Sequence, residues 1–156
     1  MHDMSIATSV KKILIADDEP DILEIIQYNL QKEGYEVITA KNGSEAIDMA
    51  IKNRPDLIIL DIMMPGKNGI EVCNLLRLKP VFNETLIVFL TALSDESTEV
   101  KGLETGADDY ITKPISPKVL VSKVNALFRR VIKDDISLLQ IGELTINREK
   151  FIVNYR

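Results

Sequence analysis

Four short apolar runs in the chain each end in polar residues of a type that does chemistry. Asp17, Asp18 and Glu19 follow Lys12 to Ala16, Asp61 follows Asp56 to Leu60, Thr91 follows Leu86 to Leu90, and Lys113-Pro114 follow closely on Tyr110-Ile111. Carboxylates gathered in one place repel and raise one another's pKa unless a cation shares the site. An all-oxygen site selects a hard ion, and Mg²⁺ takes one or two carboxylates while keeping waters and adding substrate phosphate oxygens. With one hydroxyl and one ammonium beside it, such a set suits a phosphoryl group bound covalently to an aspartate.

Each group taken singly has a structural role as well. Asp17-Asp18-Glu19 ahead of Pro20-Asp21 serves equally as helix capping and favourable dipole charge. Asp61 before Met63-Met64-Pro65-Gly66 suits a turn, Thr91 a strand end and Lys113 a solvated surface. Their recurrence at four separate strand ends is what favours a common site.

The elements that must bring them together follow from periodicity. Lys12 to Ala16, Tyr35 to Thr39, Asp56 to Leu60, Leu86 to Leu90 and a short run ending at Tyr110-Ile111 read as strands. Helical spacing separates them: Asp21 to Glu33, Ser44 to Lys52, Ile70 to Leu78, Asp95 to Thr105 and Pro117 to Val131. Strands that are apolar throughout, rather than alternating, belong to a parallel sheet covered on both faces. The predicted fold is therefore α/β, a doubly wound five-stranded parallel sheet with five helices, in which ligands bind beyond the carboxyl ends of the strands. Beyond that domain, assigned to residues 11–131, Lys133-Asp134-Asp135 reads as part of a linker over 132–137. Period-2 alternation in Leu144 to Asn147 and Phe151 to Tyr155 reads as a β-hairpin within a second-domain fragment, residues 138–156.

Composition narrows the function classes. The 156 residues are 46% hydrophobic and 28% charged with a net charge of −5, which supports a buried core and argues against disorder. No apolar run is long enough to cross a bilayer, so no membrane association is expected and the cytoplasm is the default location. One cysteine, Cys73, precludes an internal disulfide and reads as a packing residue. One histidine, His2, leaves nothing for a Ser/His/Asp triad inside the fold or a His-rich metal centre. No P-loop or GxGxxG pattern occurs, and Met1 to Phe128 carries no basic stripe for a nucleic-acid backbone.

Ile15-Ala16-Asp17-Asp18-Glu19, Leu60-Asp61-Ile62-Met63-Met64-Pro65-Gly66, Leu90-Thr91-Ala92 and Gly106-Ala107-Asp108-Asp109-Tyr110-Ile111-Thr112-Lys113-Pro114 together resemble the receiver domain of bacterial two-component response regulators. The resemblance implies Asp61 as phosphoacceptor and Mg²⁺ held by Asp18, Asp61 and the Met63 carbonyl, with Asp17 assisting through water. It also implies that Thr91 and Lys113 receive phosphoryl oxygens, that Tyr110 swings as Thr91 moves, and that the Lys113-Pro114 bond is cis. A sensor histidine kinase is the implied phosphodonor. The protein would thus be a signalling switch rather than an enzyme. The alternatives are a phosphorylation-independent interaction module and a haloacid-dehalogenase-type phosphatase. The phosphatase needs a second Asp two places after the first, where this chain has Met63.

The Asp-Asp-Tyr-Ile-Thr-Lys-Pro run, Ser116-Pro117-Lys118 and Arg129-Arg130 resemble the OmpR/PhoB-type subfamily. In that subfamily a winged-helix DNA-binding domain follows, beginning with a small sheet like the expected tail hairpin. DNA would be contacted only through that further domain. The subfamily dimerises on phosphorylation through the fourth helix, fifth strand and fifth helix. Asp109 with Lys123, and Asp108 with Arg130, are the pairs this chain would use in a homodimer. Glu99 and Val119 depart from the subfamily's usual salt bridge, and the resemblance implies that apolar Leu93 would overlook the path of hydrolytic water.

Overall fold

The computed structural model describes residues 9–92 and 106–144, with backbone alone over 132–144. The expected fourth helix with Leu93 and Glu99, and residues 145–156 of the expected hairpin, lie outside the described residues. The chain divides into two units, Met1–Val121 and Ser122–Arg156.

Within the first unit the strands are β1 (Lys12–Ala16), β2 (Glu36–Ala40), β3 (Leu57–Asp61), β4 (Leu86–Ala92) and β5 (Asp109–Lys113). All pair in parallel in the order β2-β1-β3-β4-β5. Strand order reverses between β1 and β3, which opens a crevice at their carboxyl ends. The continuous apolar runs have the expected cause: β3 is buried at every residue and β4 at all but the last. β3 and β4 each run past the predicted ends, so that Asp61 and Thr91 are held by the ladder itself rather than by a loop.

Three α-helices connect these strands among the described residues: α1 (Pro20–Lys32), α2 (Gly43–Asn53) and α3 (Gly69–Arg77). Pro20 opens α1, and Leu23, Ile26 and Leu30 form its buried stripe. The Asn42 side chain caps α2 by accepting from Glu45 N at 2.8 Å. Asn68 and Glu71 close a reciprocal capping box on α3, at 2.9 Å and 2.8 Å. Ala46 and Ala50 of α2 and Val72, Cys73 and Leu76 of α3 pack on Leu14, Ile58, Leu60, Ile87 and Phe89 of the sheet. Cys73 is thus the buried packing residue its neighbours suggested. No helix among the described residues is long and apolar enough to cross a membrane.

The last helix, Pro117–Leu144, overruns its predicted end. Residues 132–137, read as a linker, are helical, and so are residues 138–144 of the expected second-domain fragment. Neither Gly nor Pro occurs between Pro117 and Gly142, so nothing local stops the helix, and the turn-like Lys133-Asp134-Asp135 is tolerated inside it. The expected stripe holds, since Leu120, Val124 and Leu127 are all buried.

An arginine that the sequence did not single out fastens the amino end of β5. Arg77 donates from Nε and Nη2 to the Gly106 carbonyl at 3.1 and 2.9 Å, and from Nη1 to the Phe82 carbonyl at 2.6 Å. Its Nη2 also pairs with Asp108 at 3.2 Å, and the same Asp108 oxygen accepts from Ile87 N at 2.9 Å. Replacing Arg77 by Met keeps the aliphatic stem but leaves two carbonyls and a half-buried carboxylate without this donor. Arg77→Met is expected to lower unfolding free energy by about 2 kcal/mol, measured by urea titration, with Asp108→Asn in the same chain recovering part of the loss.

Candidate functional site

The carboxyl ends of β1, β3, β4 and β5 place Asp17, Asp61, Thr91 and Lys113 in or next to the buried layer, whereas Asp18 and the Met63 side chain are exposed. Asp17, one residue past β1, is fully buried, and its backbone N–H donates to the Ala40 carbonyl at 3.1 Å. Its Oδ1 accepts from Glu19 N at 2.9 Å, which turns the chain sharply into α1. Asp18 stands exposed on that turn. Asp61 closes β3 with 3% of its surface exposed, its Oδ1 accepting from Met63 N at 3.1 Å. One oxygen from each of Asp17, Asp18 and Asp61 can be chosen so that all lie within 4.8 Å of one another.

Lys113, the last residue of β5, reaches across. Its Nζ lies 3.2 Å from Asp61 Oδ2 and 3.3 Å from Asp17 Oδ2. The Lys113-Pro114 peptide is cis, as the resemblance implied. Burial pushes the Asp61 carboxyl up to about 6, the negative Asp17 adds to the rise, and the Lys113 ammonium and the Met63 N–H oppose it. Burial pulls the Lys113 ammonium down, but Asp61 and Asp17 outweigh it and hold its pKa above the usual lysine value.

Thr91 is buried on β4, one residue beyond Leu90, which pairs with Asp61. Tyr110 lies opposite Phe89 on β5, half-buried against the core. Met63 exposes its side chain, so its part in the site falls to its backbone, whose N–H already holds Asp61. Of the expected dimer residues, Asp108 has its carboxylate engaged within the chain by Arg77 and Ile87, so a pair with Arg130 of a second copy would compete with these bonds. Asp109 lies on β5, where its Oδ1 accepts from its neighbour Tyr110 N at 2.8 Å, and Lys123 and exposed Arg130 lie on the last helix.

Sequence reasoning passed over two glycines. A Cβ on Gly69 would stand 2.5 Å from the Asp61 carbonyl oxygen, so α3 starts directly against the backbone of the central aspartate. Gly43, the first residue of α2, is packed as tightly on Lys67. The signal was present in the repeated Asn-Gly at two helix starts, Asn42-Gly43 and Asn68-Gly69, since Gly is a poor helix former unless close approach demands it.

The donor set fits a hard divalent cation. Its side-chain oxygens are all carboxylate, and among the described residues Asp17 Oδ2 is buried without a hydrogen bond, with the Lys113 charge at 3.3 Å. An acceptor left so short of donors needs a positive partner.

A doubly wound parallel sheet thus carries clustered acids and a lysine at the carboxyl ends of its strands. Residues 13–125 match the response regulator receiver domain family, and the chain belongs to that family. Over 120 residues the chain is 50% identical to the alkaline phosphatase synthesis transcriptional regulatory protein PhoP of Bacillus subtilis, covering 77% of this chain and 49% of that protein. The chain therefore spans about half the length of this relative. Among solved structures, the Vibrio cholerae chemotaxis protein CheY4 is 33% identical with a TM-score of 0.72, covering 76% of this chain and 98% of that one. The BeF3-activated receiver domain of Klebsiella pneumoniae RstA is 34% identical with a TM-score of 0.68, covering 74% and 97%.

Proposed function

We propose that this chain is the phosphoacceptor module of a cytoplasmic two-component regulator, taking a phosphoryl group from a sensor kinase's phosphohistidine onto Asp61. The observation that carries the reading is the buried Asp61 carboxylate, fixed by the Met63 N–H on one oxygen and the Lys113 ammonium on the other. In the transfer an Asp61 oxygen bonds to phosphorus as the phosphorus–nitrogen bond to the kinase histidine breaks, the electron pair returning to the imidazole. With its pKa at about 6, Asp61 is largely ionised at neutral pH and ready to attack. Mg²⁺, which Asp17, Asp18 and Asp61 would hold with the Met63 carbonyl, supplies charge neutralisation for the phosphoryl oxygens.

The chain's own groups then respond to the new charge. Lys113 pairs with a phosphoryl oxygen in place of the carboxylate oxygen it now holds, and the Thr91 hydroxyl donates to another. Movement of Thr91 draws Tyr110, two positions from Asp108, further inward and biases the β5 surface toward a homodimer that uses Asp109 and Lys123. Named as a transcriptional regulatory protein, the Bacillus subtilis relative supports output on DNA through a domain beyond this one. Light scattering at tens of micromolar tests the switch: the Mg²⁺-bound phosphorylated chain is expected to be a dimer and the untreated chain a monomer. A phosphorylated monomer would reject the dimer and favour a receiver acting through some other partner.

A further inference from the structure

The two halves of the site meet a single short segment, Ala40 to Gly43, on which no chemistry has been placed. Its first residue accepts from Asp17 N at 3.1 Å and so sets the height of the β1 turn. Its last residue, buried Gly43, lies under the loop of residues 62–68, where an added Cβ would overlap the Lys67 carbonyl oxygen and come within 2.7 Å of the Lys67 Cβ. That loop carries the Met63 N–H that holds Asp61 Oδ1. The segment cannot easily yield, because the helix it opens is capped by Asn42 and anchored in the core through Ala46 and Ala50. An added methyl would therefore be accommodated by displacement of the loop, since the nearest atom is backbone rather than the end of a flexible side chain.

We infer that Gly43 is a positioning residue for the phosphoacceptor site: its missing side chain lets loop 62–68 rest on the start of α2, at the level where Met63 meets Asp61. Ala40 holds Asp17 from the same rigid segment, so the separation of the two buried carboxylates is set there and not by the loop alone. The consequence for phosphoryl acceptance rests on the function proposed above, whereas the consequence for the loop does not. Supporting residues one step removed from a metal site change affinity by about 10–100-fold when disturbed, which sets the scale expected here.

The test compares wild type with Gly43→Ala, Asn42→Ala and, as a control on the exposed next residue, Ser44→Ala. Amide exchange at Met63 is followed by NMR without metal, and Mg²⁺ affinity is titrated separately. Gly43→Ala is expected to speed Met63 exchange and to weaken Mg²⁺ binding by about tenfold or more, with Ser44→Ala unchanged in both. Asn42→Ala, which loosens the cap without adding an atom, is expected to move both readouts the same way by less, and it decides the matter should Gly43→Ala fail to fold. Wild-type exchange and Mg²⁺ affinity in folded Gly43→Ala would overturn the inference, as would wild-type values in Asn42→Ala where Gly43→Ala does not fold. If wild type takes up no phosphoryl group the proposed function fails, while the exchange data still judge the Gly43 contact by themselves.

Discussion

Asp61→Asn is expected to make the metal-free protein more stable than wild type, by about 2–3 kcal/mol at pH 8 and by almost nothing at pH 4. Its carboxyl has an ordinary value of 3.8 and is pushed up to about 6 by burial and by the Asp17 charge. A carboxyl whose pKa is raised on folding binds more protons in the native state between those two values. The native protein therefore loses stability as pH rises through the interval, and above about 6 the penalty is complete. Asparagine has no charge to bury and keeps an oxygen for the Met63 N–H, so its advantage follows the same curve. The Asn amide facing Lys113 trims the gain, which is why the lower end of the range is included. Urea titrations in chelator from pH 4 to pH 8 measure this, and saturating Mg²⁺ should close the gap by stabilising wild type alone. Equal stability of the two proteins at pH 8 would show that Asp61 is not strained by its surroundings.

Lys113→Met should act in the opposite direction. The ammonium is the only positive group that touches both buried carboxylates among the described residues, at 3.2 and 3.3 Å. Removing it leaves two neighbouring acids uncompensated, and breaking a buried ion pair from one side typically lowers stability by about 3–5 kcal/mol. With Lys113 only partly buried, the lower end is expected at pH 8 in chelator. Because the acids can escape by taking protons, the deficit should shrink as pH falls. The same change removes the competitor for their charge, so Mg²⁺ should bind more tightly to Lys113→Met than to wild type and restore much of its stability. Weaker Mg²⁺ binding in this variant would contradict the reading of Lys113 as the cation's competitor for Asp17 and Asp61. Acceptance without switching is the expected functional result, since the partner for the new phosphoryl charge is gone.

What could be read from the sequence followed from the geometry of parallel sheets. Once the apolar runs before Asp17, Asp61 and Thr91 were recognised as strands buried on both faces, their carboxyl ends had to converge, and the structure brings Asp17, Asp61 and Lys113 into contact. Asp18 was equally legible as an acid on the adjoining turn. Contacts that depend on three-dimensional closeness without a local pattern were not legible. Arg77 reads as a favourable charge at a helix end, and nothing in its neighbourhood announces Gly106 or Asp108 as its partners. The contacts that Asp108 makes inside the fold, beside the pair with Arg130 expected across a dimer, were therefore not legible. The helical course of residues 132–144 is hard to read because Lys133-Asp134-Asp135 looks like a turn, although neither Gly nor Pro interrupts the sequence between Pro117 and Gly142. Gly43 and Gly69 carried a usable signal at two helix starts, but only the packing shows that each lies against the loop that holds Asp61.

The central claim is that Asp61 accepts the phosphoryl group, and intact-mass spectrometry tests it most directly. Wild type, Asp61→Asn and Asp18→Ala are each incubated with a small-molecule phosphodonor, with Mg²⁺ and with chelator. The account predicts the mass gain of one phosphoryl group in wild type with Mg²⁺ only, lost on treatment with hydroxylamine as an acyl phosphate must be. It predicts none in Asp61→Asn, and in Asp18→Ala a gain only at much higher Mg²⁺. A hydroxylamine-labile phosphoryl group of equal amount on Asp61→Asn would contradict it.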